Sequence, residues 1–468
     1  MKTQILLFMS TLLLTLVGCA IGNSVESYQP IIDSNSVIGQ PIETPSAATE
    51  AIKPPFTLAQ CLDIALKNNP DIVGGGFDVL TTQAQKNIAV SQKLPVIGLG
   101  TRYTHFSDNQ RLIQPRYNGE PGVFGDDVFA GDIVFSMPIF TAGRIENEIK
   151  ATDLLSQSAV HSLTRTRHEL VFNLSQVFYN ILAQRHIIES QKFSKKALEE
   201  HKKRVGNLIN VQRASKVDLL RTEVRLADIE QGLVREKNVM SILRRVLVNF
   251  MGFSKPGQEV DIIGELQLTA VDAKLHESIS RAYSQRTDYL SAEKQVQAQE
   301  KRLDIARAGR WPIISSVASY GMRSAANPDF RPSGANSSDD VGFVGFSLNI
   351  PLYEGGAISA RVRKERSKLN SMRQQLRKLK LQLDLDVETA ILNINSSNER
   401  VVATNKSIEQ AKESLRIERS KYELGKGSIT DVLDAQSALL ITQTIYYRAL
   451  SDYNTAVAQW HLAIGVEK

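Results

Sequence analysis

Residues 135–144 read FSMPIFTAGR and residues 347–357 read SLNIPLYEGGA. Each passes from an alternating apolar run, through a proline, to glycine, and then into a long stretch without a helix breaker. Placing Pro138 on Pro351 sets an offset of 213, and the same offset lays ASKVDLL (214–220) on GSITDVL (427–433), Asp218 on Asp431 and Gly252 on Gly465. Ahead of the strands the offset is about 217, matching Leu94-Pro95 to Trp311-Pro312 and Asp71 to Asp288, so a loop in the first half is about four residues longer. Self-similarity of this kind makes the chain two copies of one supersecondary unit, 56–265 and 266–468.

Each copy has the same internal order. An amphipathic helix (57–69; 275–285) leads into a second helix that is expected to end at Pro95 or at Trp311-Pro312. Strand-like segments follow: PVIGLGTRYTHF and DVFAGDIVFSM in the first copy, PIISSVASYG and VGFVGFSLNI in the second. Alternation puts Phe129, Ile133, Phe135 and Met137 on one face and Asp132 and Ser136 on the other; Val344, Phe346, Leu348 and Ile350 stand against Ser347 and Asn349. Strands of about 10–12 residues cross a bilayer when tilted. Taken alone they fit a soluble hairpin with one wet face equally well.

Arg144 to Val205 and Ala357 to Leu424 contain neither Pro nor Gly. As helices they reach roughly 90–100 Å, longer than an ordinary globular domain. Val387, Ile394, Val401, Ile408, Leu415 and Tyr422 recur every seven residues, a coiled-coil seam. An earlier seam, Val362, Leu369, Leu376 and Leu383, is displaced by four, a stutter that locally unwinds the supercoil. The returning helix carries Val432, Leu439, Tyr446, Tyr453 and Trp460 at one heptad position and Ala435, Thr442, Ala449, Ala456 and Ala463 at another. Large side chains face small ones, which lets helices approach closely.

The N-terminus, MKTQILLFMSTLLLTLVGCA, has Lys2, an apolar run too short to span a membrane, and small residues after it: a secretory leader, 1–18. Leu16-Val17-Gly18-Cys19 looks like a bacterial lipobox, with Cys19 acylated as the first mature residue. The only other cysteine is Cys61, so no intrachain disulfide is expected. Residues 19–55, rich in Ser, Pro and Thr, read as an extended tether. With 56 basic and 50 acidic residues the net charge is only +6, interspersed along helices, which argues against a nucleic-acid partner.

Four strands per chain do not close a membrane barrel, and lipid does not tolerate open sheet edges. Two chains would pool eight strands and three would pool twelve, both even. FTLAQCLDIALKNNPDI, the paired MPIFTAGR and IPLYEGGA, and YELGKGSITDVLDAQSALL together resemble the TolC-like outer-membrane efflux proteins, and the lipobox resembles their lipoprotein members. The resemblance covers residues 56–465. It implies an α+β membrane protein: a homotrimer with a twelve-stranded β-barrel in the bacterial outer membrane, continued by an antiparallel α-helical barrel across the periplasm. It implies a passive exit duct that needs no cofactor. The implied partners are a periplasmic adaptor (membrane fusion protein) and an inner-membrane transporter of RND, ABC or MFS type.

Ser428-Ile429-Thr430-Asp431 has the form of a capping box, and Ser215-Lys216-Val217-Asp218 repeats it. Capping alone, at about 1 kcal/mol, accounts for Asp218 and Asp431. Asp434 lies beyond the first turn and its counterpart is Arg221, an asymmetry that folding does not require. The resemblance implies that Asp431 and Asp434 line the periplasmic aperture, and that the hairpin tips, Ala214, Ser215, Asp218, Gly425, Lys426, Gly427 and Ser428, meet the adaptor. Gly427 stands where the best-known relative has a basic gate residue, so no latch is carried over to Lys426.

No phosphate loop, nucleophile elbow, HExxH or CxxC pair occurs, and the seven histidines form no ligand-spaced cluster; neither an enzyme nor a metal site is expected. The competing reading is a periplasmic coiled-coil lipoprotein that scaffolds the envelope without transport.

Overall fold

The computed structural model describes residues 55–113, 123–210, 212, 214–253, 260–325 and 337–466. The expected leader, the acylated Cys19 and the tether up to residue 54 lie outside the described residues. Helices α1 (Leu58–Asn68), α2 (Pro70–Ser91), α3 (Arg144–Asn210) and α4 (Lys216–Phe250) recur as α5 (Leu275–Gln285), α6 (Thr287–Ala308), α7 (Ala357–Glu423) and α8 (Ile429–Ile464). Their lengths run 11, 22, 67 and 35 residues, then 11, 22, 67 and 36. Between α2 and α3 lie β1 (Val96–Arg111) and β2 (Phe124–Phe140); between α6 and α7 lie β3 (Ile313–Ala325) and β4 (Ser338–Asn349).

All four strands join one antiparallel sheet in the order β1-β2-β3-β4, so the two copies are stitched together by the β2–β3 ladder. The register lines up Ile97 with Phe135, Ala318 and Val344 across the sheet, and Leu99 with Ile133 and Tyr320. Facing partners share a side of the sheet, which makes one face continuously apolar. Phe346 is 77% exposed and Val344 66% exposed within the single chain. The other face carries Asp132, Ser136, Ser319 and Arg323, with an Arg323 Nη1 to Asp132 Oδ1 ion pair of 2.8 Å. Trp311, Leu352 and Tyr353 stand exposed where the strands meet the helices, the level of an aromatic girdle. β1 and β4 each leave an edge unpaired in the chain. Among the described residues no helix is long and apolar enough to cross a membrane.

Three expectations are corrected. The strands are 16, 17, 13 and 12 residues long rather than about 10–12; backbone pairing extends beyond the apolar run, and β1 stays in the ladder across a register slip between His105 and Gln110. The second helices end at Ser91 and Ala308, each four residues ahead of Pro95 or Pro312, because proline has no N–H to donate to the carbonyl four residues back and its ring clashes with that carbonyl. The first long helix runs through Gly206 to Asn210. A helical glycine costs about 1 kcal/mol against alanine, less than burial of Leu198 and Val205 beside it contributes.

The seams are buried as their spacing predicts. Val387, Ile394 and Val401 pack with Ala449, Tyr453, Ala456, Trp460 and Ala463, while Val362 and Leu369 of the displaced seam pack with Val296 and Leu303 of α6. The stutter in α7 is thus the place where its partner changes from α6 to α8. The short helices abut the returning ones. Gly252 (φ +78°) follows the end of α4 and Gly465 (φ +77°) that of α8, and each closes a Schellman turn, Phe253 N to Val248 O at 3.1 Å and Val466 N to His461 O at 3.0 Å. A Cβ on Gly252 would lie 2.5 Å from Asn68 O, and one on Gly465 2.8 Å from Arg286 Cα. Asn69 caps α2 and donates to Phe250 O (3.0 Å). Its counterpart Arg286, 3% exposed, instead bridges Asp288 (2.9 Å) and Asp386 (2.7 Å).

Candidate functional site

The ends of the two helix hairpins come together. Ile429 and Leu433 of α8 pack with Leu198 and Val205 of α3 and Ile229 of α4, with Ala214 of the first tip against the same cluster. On its other side α8 buries Val432 and Ala435 against Leu415 of α7. Gln436 donates to Ser194 O (3.2 Å) and Oγ (3.1 Å), tying α8 to α3.

Both capping boxes form. Thr430 N donates to Ser428 Oγ (3.1 Å) and Ser428 N to Asp431 Oδ2 (3.2 Å); Val217 N donates to Ser215 Oγ (3.2 Å) and Ser215 N to Asp218 Oδ2 (3.1 Å). The turn into α8 is a Schellman closure around Gly425 (φ +72°), with Lys426 N on Lys421 O at 2.9 Å. The first tip places Gln212 (φ +57°) at the position of Gly425, and Gln212 N donates to Ile209 O at 2.9 Å as Gly425 N does to Tyr422 O. Gly427 sits close to the end of α7, where a Cβ would lie 3.0 Å from Lys421 Cβ. Asp431 and Asp434 are both exposed, one turn apart on one side of α8. Asp434 makes no ion pair among the described residues, whereas its counterpart Arg221 reaches across to Thr430 Oγ1 at 3.0 Å. Among the described residues no group of acidic, histidine or cysteine side chains is arranged to hold a metal ion.

Sequence reasoning missed the bonds between the hairpins. Arg225 hydrogen-bonds Ser437. Arg204 pairs with Glu423 at 3.3 Å. These residues lie about 210 positions apart in pairs, and no local pattern announces them. The one available signal was the break in repeat symmetry, arginine at 221 and 225 where α8 has Asp434 and Ala438.

His201 is buried between the hairpins with its ring 5.4 Å from that of Tyr422. Burial, then the guanidiniums of Arg204 and Arg419, push its pKa down from 6.5 to about 4, opposed by Asp218. The folded ring therefore stays neutral where an unfolded one takes up a proton. The stability it supports is intact above pH 6.5, falls as the pH drops toward 4, and changes no further below that. His201→Phe keeps a ring without a proton site. It is expected to flatten the pH dependence of amide exchange in residues 198–205 and 415–422 across this window; an unchanged slope would show that the ring's burial is not maintained in solution.

A family model described as "Outer membrane efflux protein" matches residues 278–466. The chain is 22% identical to the outer membrane protein TolC of Escherichia coli K12 over 395 residues, 82% of this chain and 76% of that one. It is 22% identical to the probable outer membrane lipoprotein SilC of Salmonella typhimurium over 421 residues, 84% and 83% of the two chains. Its fold is that of the Campylobacter jejuni CmeC outer membrane channel, with a TM-score of 0.76 at 16% identity over 87% of this chain and 85% of that one. It is likewise that of the Vibrio cholerae outer membrane protein VceC, with a TM-score of 0.74 at 16% identity over 87% and 96%.

Proposed function

We infer, from the family model that matches residues 278–466 and from the fold shared with outer membrane channels, that the chain is a TolC-like outer-membrane efflux protein and the outer-membrane exit duct of a tripartite efflux or secretion system. The observation that carries this reading is the sheet: one apolar face, one polar face, and two open edges. Lipid forbids those edges, since each unpaired backbone group costs several kcal/mol there. Copies of the chain satisfy them edge to edge. Three copies supply twelve strands, apolar side toward lipid, polar side toward a water-filled lumen. The long helices, about 100 Å each, continue the duct into the periplasm. A soluble scaffold has no use for Val344, Phe346 and Leu348 on an uncovered face.

On this reading each half, 56–265 and 266–468, supplies one strand pair and one helix hairpin. The duct is passive and not an enzyme, and Cys19 supplies a lipid anchor. At the periplasmic end Ala214, Ser215, Asp218, Gly425, Lys426, Gly427 and Ser428 form the surface that meets a periplasmic adaptor, itself coupled to an inner-membrane transporter. Three chains bring six carboxylates, from Asp431 and Asp434, to the aperture. Such a ring attracts cations, and its mutual repulsion limits how far the mouth closes. The exposed, unpaired state of Asp434 supports this role.

In planar bilayers the purified protein is expected to run as a trimer and to carry an ionic current that divalent cations block. Asp431→Asn/Asp434→Asn is expected to abolish most of the block, weakening it about tenfold or more. A monomer without current would dismiss the duct, and a current whose block survives the substitution would dismiss the ring. Ser428→Ala, at about 1 kcal/mol of cap stability, separates loss of the cap from loss of charge.

A further inference from the structure

The aspartates do not stand alone on α8. Asp431, Asp434, Ala438, Ile441, Ile445, Arg448 and Asp452 follow one another at alternating steps of three and four residues, and all seven are exposed on one stripe; Ile441 is 57% and Ile445 49% exposed. That spacing keeps side chains on a single side of a helix. α8 is flanked by its own chain on both sides of the stripe, by α3 through Leu198 and Ser194 and by α7 through Leu415. No room is left for a neighbouring subunit to slide between α8 and either flank. Whichever way Asp434 faces, Ile441 and Ile445 face the same way.

The repeat shows that packing does not require these isoleucines. Their counterparts in α4 are Asp228 and Gly232, in a stripe that reads Asp218, Arg221, Arg225, Asp228, Gly232 and Arg235. The polar version of the same helix folds to 35 residues against 36. The apolar step belongs to α8 alone, about 10 Å above Asp434 for Ile441 and about 16 Å for Ile445, at 1.5 Å rise per residue. Above it the stripe is charged again, with Asp452 held by Arg400 at 2.7 Å.

Resting on the reading that Asp431 and Asp434 line the aperture, we propose that Ile441 and Ile445 form an apolar collar just inside it, which selects organic cations bearing apolar surface over small hydrated cations. The acidic ring concentrates both kinds of cation. The isoleucine side chains offer no hydrogen bond to replace a hydration shell, and an apolar constriction raises the barrier to a hydrated ion by expelling water. A cation that carries its own apolar surface loses little hydration and gains contact with isoleucine. Charge first and apolar contact second is a two-step filter built from one helix face.

The test uses the full-length protein in planar bilayers, with potassium as the small cation and tetraphenylphosphonium as the organic one. Ile441→Ser/Ile445→Ser changes exposed side chains, so the trimer is expected to survive on a gel. It is expected to raise potassium conductance about twofold and to weaken block by tetraphenylphosphonium about tenfold, while divalent block persists. Unchanged conductance and unchanged organic block overturn the collar. Asp434→Cys and Ile441→Cys, each treated with a cationic thiol reagent, separate the two levels of the argument, since Cys61 is buried. Loss of current with both supports the collar. Loss at Asp434→Cys alone overturns the collar and leaves the aperture; loss at neither overturns the aperture reading itself.

Discussion

Phe346→Arg is expected to remove the protein from the outer membrane. Phe346 is at the centre of the apolar run Val344, Phe346, Leu348 and Ile350, and lies on the uncovered face of the sheet. An arginine facing lipid near the bilayer midplane costs about 2–4 kcal/mol per chain, and in a trimer that penalty is incurred three times. The neighbouring Ser347→Arg puts the same charge on the opposite, polar face, where water solvates it. Recovery of heat-modifiable trimer from outer-membrane fractions measures both. Phe346→Arg should be depleted and Ser347→Arg retained; equal recovery would mean that the two faces are assigned wrongly.

Two alanine substitutions at glycine should move stability in opposite directions. At Gly465 the backbone has φ +77°, and a Cβ would lie 2.7 Å from Gln285 C and 2.8 Å from Arg286 Cα. These are backbone atoms and cannot swing aside. Left-handed strain of about 1–2 kcal/mol and overpacking of about 1–3 kcal/mol together make Gly465→Ala destabilising by roughly 2–5 kcal/mol. At Gly206, inside α3, a Cβ meets nothing within 4 Å, so Gly206→Ala should stabilise by about 1 kcal/mol. Denaturant midpoints of the detergent-solubilised trimer are the measurement. If both variants shift the same way, the abutment of α8 on the end of α5 is not what constrains residue 465.

The two glycines also show where the sequence was legible. Gly252 and Gly465 were identified as equivalent by the offset alone, yet their reason, a helix end pressed against Asn68 in one copy and Arg286 in the other, is a tertiary contact. The heptad seams and both capping boxes were readable because each is decided within a few turns of one helix. The extra length of the strands was not, because it depends on pairing between segments, and hydrogen bonding carries β1 and β2 past the point where side-chain alternation stops. The breaker-free run stops at Val205, and the continuation of α3 through Gly206 to Asn210 was not visible because it rests on the packing of Leu198 and Val205.

At the candidate aperture the division is the same. Asp431 and Asp434 stood out through spacing and through the asymmetry with Arg221. The contacts Arg221 to Thr430, His201 to Tyr422 and Gln436 to Ser194 join residues from opposite halves, and a pattern with a period of a few residues carries no information about them.

The sequence by itself determined the twofold repeat, the strand–long helix order, the buried seams and the caps, because these follow from side-chain periodicity and from backbone preferences that act over one or two turns. Only the tertiary structure decided that the strands of both halves share one sheet, that α8 lies between α3 and α7, and that its isoleucines stand on the same open stripe as its aspartates. Those outcomes are set by which surfaces exclude water together, a sum over distant parts of the chain that no single stretch contains.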